Sequence, residues 1–280
     1  MTPKAIYLFS RFFMSFAFNL MFTAAIIYRI DVVNLEIYQL ILLGTALEIA
    51  VLLFEVPTGV VADLYSRKWS VIIGLFIIAS GFFLELSTSI FIVIFMAQIV
   101  WGLGETFISG ALDAWLSDET HHTVKDTLLT GKQYSLLGSV GGILLSGFIG
   151  SINPVYAMAL AGTLMSMLAI YLIAFMPEQK TFEKVRQTWR DYLRQLGDGF
   201  THIKKHHALR ILFIIMLFLG LYSEGIDRTY QVHVLDNLGL RNLTLSPVWI
   251  IAGLKLFMVT SGAVLIAINK RVFTEAHHVN

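Results

Sequence analysis

Acidic side chains interrupt the long apolar stretches of this sequence at positions where lipid would leave their charge unpaired. Glu48 and Glu105 lie deepest, with mostly apolar residues on both sides. A charge at such a depth is costly, so its side chain is expected to face a helix bundle or a watery cavity. A carboxyl group there can carry a proton or bind a cation. The sequence therefore predicts both residues as substrate or coupling candidates.

Further charged residues lie inside apolar segments or at their ends. Glu224 and Arg228 are four residues apart, so they can pair along one helix face. We expect these two residues to form a satisfied network with Lys255, and a direct role in coupling is the alternative. Arg11 and Asp113 lie near the ends of their segments and are predicted to make structural ion pairs, although Asp113 also remains a substrate or coupling candidate.

The sequence contains no recognisable catalytic or cofactor-binding motif. It has no cysteine, which excludes disulfides, iron–sulfur clusters and thiol nucleophiles. Six of its eight histidines form adjacent pairs, at 121–122, 206–207 and 277–278. Neighbours in a helix point about 100° apart, so such pairs chelate a metal poorly. We therefore predict no catalytic residue, no metal site, no cofactor and no nucleic-acid partner, and we expect the protein not to be an enzyme.

The amino-acid composition indicates whether the protein is surrounded by water or by lipid. Of the 280 residues, 56% are hydrophobic and only 14% are charged. An ordinary soluble domain has about 25% charged residues, and its surface needs them. A soluble globular protein is therefore excluded, and the expected surrounding is a lipid bilayer.

Eight apolar segments are long enough to cross a bilayer as helices, at about 1.5 Å per residue. Their apolar runs are continuous rather than alternating, which argues against barrel strands. The sequence thus predicts an all-α membrane protein. The eight segments are residues 6–28, 37–59, 69–86, 90–112, 133–152, 156–176, 211–234 and 248–268.

The basic residues predict the orientation of these spans. If the N-terminus lies inside and the spans alternate, most of the 20 Lys and Arg residues fall on the inner side. The longest polar stretch, residues 177–210, has apolar side chains three or four apart, which predicts an amphipathic helix on the inner membrane surface. We expect an integral protein of the bacterial plasma membrane with both termini in the cytoplasm.

The loop between the second and third segments carries the clearest local motif, GVVADLYSRK at residues 59–68. Gly59 can allow a close approach of two helices, and Asp63 can face a helix N-terminus or an arginine. Arg67 and Lys68 can anchor the loop at the inner interface. A topology-determining basic loop is the simpler alternative.

This motif resembles the cytoplasmic loop motif of the major facilitator superfamily, commonly written GxLADRxGRR/K. The stretches FEVPTG and WGLGETFISGALDAWLSDE are similar to bacterial drug-transporter-like members. The resemblance implies two six-helix bundles around a central cavity and a gate formed by Asp63, Arg67 and Lys68. It also implies cavity-facing positions in spans one, four and seven. Those positions are Asn19, Trp101, Glu105 and Glu224.

Two positions depart from the family pattern. Gln98 stands where the fourth span often carries an arginine, which disfavours an arginine proton relay in that span. The fifth span has five glycines between residues 138 and 150 but lacks the proline of antiporters. These glycines are therefore expected to serve close helix packing.

The sequence predicts three regions. Residues 1–176 would form a complete six-helix bundle, residues 177–210 a cytoplasmic amphipathic linker, and residues 211–280 two helices of a second bundle with a tail. The expected function is secondary transport of a small lipophilic or cationic solute, such as drug efflux, by alternating access. Proton coupling is a further hypothesis. The family expects twelve spans, so the alternative is a truncated or split fragment that needs a partner chain and does not transport alone.

Overall fold

The computed structural model describes residues 2–119, 124–178, 194, 197 and 204–277, without the side chains of residues 217, 221, 222, 224 and 263–277. A π-helical turn, Tyr28–Val32, continues the first helix, and a short 3₁₀ turn, Leu240–Asn242, precedes the last. The helices are α1 (Pro3–Ile27), α2 (Ile37–Leu64), α3 (Arg67–Leu86), α4 (Phe91–Ile108), α5 (Ala111–Glu119), α6 (Val124–Ile152), α7 (Pro154–Phe175), α8 (His207–Asp236) and α9 (Pro247–His277).

The described helices confirm an all-α membrane architecture. Seven helical segments in the described ranges are long and apolar enough to cross a bilayer, and the apolar part of α9, Pro247–Gly262, is shorter. The predicted segment 90–112 is not one straight helix, because the chain turns at Ser109 and Gly110 between α4 and α5. Gly110 has a φ of 71°, a left-handed backbone that glycine adopts without strain. The predicted linker, residues 177–210, lies largely outside the described residues.

Short polar side chains start several of the helices. The hydroxyl of Ser66 accepts a hydrogen bond from the backbone nitrogen of Trp69 at 3.2 Å, and Thr2 does the same for Ala5 at 3.3 Å. The side chain of Asn153 accepts from Val155 at 2.9 Å. Each cap satisfies a backbone N–H that has no partner within its helix, which fixes where the helix begins.

Glycines bring α1 and α6 into backbone contact. A Cβ atom at Gly138 or Gly142 would collide with the carbonyl oxygen of Phe12 or Phe16, respectively. The hydroxyl of Ser146 also donates a hydrogen bond to the carbonyl of Leu20 at 2.9 Å. The expectation that these glycines serve close helix packing is therefore confirmed.

Two clusters of buried apolar side chains hold the helices together. The larger cluster joins α1, α3, α4, α5 and α7, with Phe82 and Leu75 fully enclosed. The smaller cluster packs Leu235 of α8 and Ile251 of α9 against the ends of α1, α2 and α4. On the same side, Arg241 bridges Asp31 at 2.7 Å and Asp236 at 2.5 Å. These contacts attach the last two described helices to the first group.

Candidate functional site

A cavity of about 420 Å³ lies where the first group of helices meets α8 and α9. Its lining combines aromatic rings with charged and amide side chains, although all five contributing helices are mainly apolar. This combination is typical of a ligand site, where a few polar groups orient a solute among apolar surfaces. The lining residues are Asn19, Phe22, Ile26, Arg29, Leu47, Trp101, Asp227, Arg228, Tyr230, Gln231, Lys255, Met258 and Val259.

Three of the predicted site residues line this cavity: Asn19, Trp101 and Arg228. The amide of Asn19 donates to the carbonyl of Ser15 at 2.9 Å and to the hydroxyl of Ser139 at 3.0 Å. Asn19 is thereby held by α6, and its carbonyl oxygen is the atom it can offer to a solute. The side chain of Glu224 lies outside the described residues.

A buried ion pair that the sequence did not predict lies behind the cavity wall. The side chain of Arg29 is only 3% exposed, and that of Glu85 is fully buried. The Arg29 Nε and Nη2 atoms donate to the two carboxylate oxygens of Glu85 at 2.8 and 3.1 Å. Such a two-pronged pair fixes the plane of the guanidinium group.

The same carboxylate also controls the orientation of Trp101. Gln98 donates to Glu85 Oε2 at 3.0 Å, and the indole N–H of Trp101 donates to Gln98 Oε1 at 3.2 Å. Gln98, which stands where the family often has an arginine, is fully buried and connects these groups. One carboxylate therefore positions two residues that line the cavity, Arg29 and Trp101.

The two predicted coupling carboxylates lie in different environments. The Glu105 Oε2 atom is buried and has no hydrogen-bond partner among the described residues. Glu55 and Arg11 are the charged groups that act on it most strongly. Glu48 lies near the middle of α2, and its side chain is exposed among the described residues, so it lacks the burial of Glu105. Because α2 is apolar on all sides, the sequence did not reveal which of its faces would be covered.

The loop motif forms a cluster of ion pairs at the end of the bundle opposite to Glu85. Arg67 donates to Asp118 at 2.5 Å and to the carbonyl of Ala114 at 2.9 Å, and it pairs with Asp63 at 3.2 Å. Lys68 donates to the carbonyl of Ile173 at 3.3 Å. Arg67 thus ties the ends of α2 and α3 to α5, the short helix after Gly110.

Gly59 does not serve the predicted close approach within the described structure. A Cβ atom at this position would meet no described atom within 4 Å. Arg11 and Asp113, each expected to make a structural ion pair, pair with each other, and the hydroxyl of Tyr7 donates to the same carboxylate at 2.8 Å. Beside this pair, α1, α5 and α6 enclose a second cavity of about 690 Å³ that includes Lys132.

Comparison with known proteins identifies the family. The model of the Major Facilitator Superfamily matches residues 7–274. The chain belongs to this superfamily. An uncharacterized transporter of the same type, YxaM of Bacillus subtilis (strain 168), is 26% identical over 228 residues, which cover 78% of this chain and 55% of YxaM. The chain thus spans about half the length of that relative.

Solved structures of the nucleoside transporter NupG share the fold. A NupG variant superposes with a TM-score of 0.81 at 15% identity, covering 98% of this chain and 69% of the variant. A second NupG structure gives a TM-score of 0.78 at 15% identity and covers 99% of this chain and 68% of that structure. At this identity the likeness concerns the fold alone, and it confirms the helical bundle of the Major Facilitator Superfamily.

Membership of the Major Facilitator Superfamily agrees with the prediction that the protein is not an enzyme, because the family consists of transporters. Within the described part of the chain, no group of three His, Asp or Glu side chains could hold a metal ion. Of the predicted histidine pairs, His206 and His207 are exposed at the start of α8. The pair at 121–122 lies outside the described residues.

Proposed function

We propose that the chain forms part of the pathway of a secondary transporter that moves a small solute across a bacterial plasma membrane by alternating access. The observation that carries this proposal is the central cavity, where Arg228 and Lys255 of the last two helices face Asn19 and Trp101 of the first group. Charged side chains at membrane depth mark solute pathways, because they are tolerated there only in a polar cavity or in pairs.

Alternating access requires two rigid groups that move relative to each other around the solute. The proposed groups are residues 1–176 and 211–280, connected by residues 177–210. Contacts within the first group are extensive and include backbone approaches at Gly138 and Gly142. The basic residues support an orientation with both termini in the cytoplasm.

We place the cytoplasmic gate at the loop motif, where the ion pairs of Arg67 hold helix ends of the first group together. They join three helix ends at the side that the basic loop assigns to the cytoplasm. Asp63 and Lys68 complete this gate in the proposal, and Gly59 stands at its start. Asp113, paired with Arg11, stabilises the adjacent end of α1.

Glu105 is the stronger candidate for proton coupling. Its buried, unpartnered oxygen makes the charged carboxylate costly and the protonated form favourable, whereas the exposed Glu48 lacks that environment. Proton uptake at Glu105 would thus offset the cost of its burial when the cavity closes.

Transport in proteoliposomes tests the proposal. Purified chain would be reconstituted and supplied with radiolabelled uridine, indole-3-acetate or ethidium, with and without a pH gradient. We expect saturable accumulation of at least one solute above the level of protein-free liposomes, and none with any of the three would contradict the proposal. Ethidium reports on the drug-efflux activity implied by the family resemblance, and uridine on the activity that NupG's name states.

Proton coupling is tested by comparing two Glu→Gln variants in the same transport assay. Glu105→Gln should abolish the effect of the pH gradient while solute exchange at equal pH continues, because the amide cannot take up a proton. Glu48→Gln is the matched control and should retain the full effect. Equal retention in both variants would exclude Glu105 as the coupling residue.

A further inference from the structure

Three cationic side chains lie among the described lining residues of the central cavity. Arg29, Arg228 and Lys255 line it, and Asp227 is its acidic side chain among the described lining residues. The charge of Arg29 is balanced by Glu85, which lies behind it at 2.8 Å. Asp227 is thus the carboxylate that the described lining residues present to Arg228 and Lys255.

Lys255 is the least compensated of these cations. It lies within the apolar sequence IIAGLKLFMV of α9, at membrane depth. Its ammonium group makes no hydrogen bond or ion pair with any described residue, and the charges that act on it are those of Arg228, Arg29 and Asp227. Two of these three repel it. An ammonium group in such a place costs free energy unless an anion accompanies it.

Arg29 has donor capacity that its ion pair leaves unused. A guanidinium group has five N–H donors, and Glu85 takes the Nε and Nη2 positions. The Nη1 atom donates to no residue in the described ranges and belongs to a side chain that lines the cavity. Because the pair with Glu85 fixes the guanidinium plane, this donor is held in place before a solute arrives.

Flat aromatic surfaces lie next to these cations. The rings of Trp101 and Phe22 have centroids 5.2 Å apart, and Phe18 stacks on Phe22 at 5.8 Å with nearly parallel planes. Aromatic side chains in this arrangement pack well against the face or edge of another ring. The cavity volume of about 420 Å³ suits a solute of one or two rings.

We infer that the central cavity binds a small aromatic anion, with its carboxylate or phosphate group between Lys255 and Arg29 and its ring against Trp101 and Phe22. The inference rests on the proposed function, since it takes this cavity to be the solute site. It favours an anion over the cationic solute expected from the sequence. The anion would supply a counter-charge to Lys255.

Three indole compounds that differ mainly in charge test this inference: indole-3-acetate, indole-3-acetamide and tryptamine. Binding to the full chain in nanodiscs of zwitterionic lipid would be measured by equilibrium dialysis. We expect indole-3-acetate to bind at least tenfold more tightly than the neutral amide, and tryptamine to bind most weakly. Equal binding of the acid and the amide, tighter binding of tryptamine, or no binding of all three would overturn the inference.

Variants connect the preference to the cavity. Lys255→Gln should weaken binding of indole-3-acetate at least tenfold and leave binding of the amide unchanged. Lys132→Gln, which removes a lysine from the second cavity, is the matched control and should change neither. An equal loss in both variants would contradict the assignment. If the proteoliposomes transport a neutral solute but the chain binds indole-3-acetate no more tightly than the amide, the anion site is refuted and the proposed function still stands.

Discussion

Glu85 is expected to be the most sensitive single position for the stability of the described bundle. Its side chain is fully buried, and that of its partner Arg29 is 3% exposed, so water screens neither charge. Replacing Glu85 by glutamine leaves the buried guanidinium without a counter-charge. Breaking a buried pair on one side costs about 3–5 kcal/mol. Since the carbonyl oxygen of the introduced amide can still accept one hydrogen bond, we expect about 3 kcal/mol, roughly a hundredfold in the unfolding equilibrium.

The assay is equilibrium unfolding of the purified chain in mixed micelles, with the wild type and Glu85→Gln measured under identical conditions. The matched control is Asp31→Asn, which breaks a pair of similar length with Arg241 whose side chains are 33% and 31% exposed. An exposed pair contributes about 0–1 kcal/mol, so this variant should remain close to the wild type.

A double variant separates the charge effect from a loss of packing. Arg29→Gln added to Glu85→Gln removes the uncompensated cation and lets the two amides bond to each other, so most of the lost stability should return. A buried pair of this kind is contradicted if Glu85→Gln costs no more stability than Asp31→Asn, or if the double variant is less stable than Glu85→Gln alone.

Two further predictions concern packing and the gate. Gly142→Ala should lower the free energy of unfolding by about 1–3 kcal/mol in the same assay, because the added Cβ collides with a backbone carbonyl. Gly220→Ala is the control and should leave the stability unchanged, because no described atom lies within 4 Å of its added Cβ. The sequence has no cysteine, so an Ala114→Cys variant carries a single site for maleimide labelling. Adding Arg67→Gln should raise the labelling rate of this cysteine several-fold, because it removes the hydrogen bond to the Ala114 carbonyl that holds α5. Lys68→Gln is the control, because Lys68 bonds to the carbonyl of Ile173 and not to α5. Equal labelling in both backgrounds would contradict the conclusion that Arg67 holds α5 in place.

The fold was predictable because bilayer thickness sets a required length for each span. Continuous apolar runs of about 20 residues located all seven candidate spans and the apolar part of α9. The turn at Gly110 was not predicted, because hydropathy carries no information on backbone angles. For the same reason the segment 90–112 was described as one helix, although α4 ends at Ile108.

The site was predictable only in part, because its contacts join residues far apart in the sequence. Asn19 and Trp101 were expected at the cavity from their places in the first and fourth spans, and both line it. Glu85 and Arg29 are separated by 56 positions, and each alone is typical of a span end. A usable signal was present in the sequence, since Arg29 is a basic residue on the side where basic residues are scarce.

The contact between α6 and α9 has a mechanical consequence. Gly147 presents bare backbone to the ring of Trp249, with 2.7 Å between the ring and the position a Cβ would occupy. Ridges of side chains normally interlock when helices pack, and sliding them past each other requires rotamer changes. A flat ring against bare backbone has no side chains to interlock with. At this contact, tilting of α9 against α6 therefore requires fewer rotamer changes than movement between interlocked side chains would require.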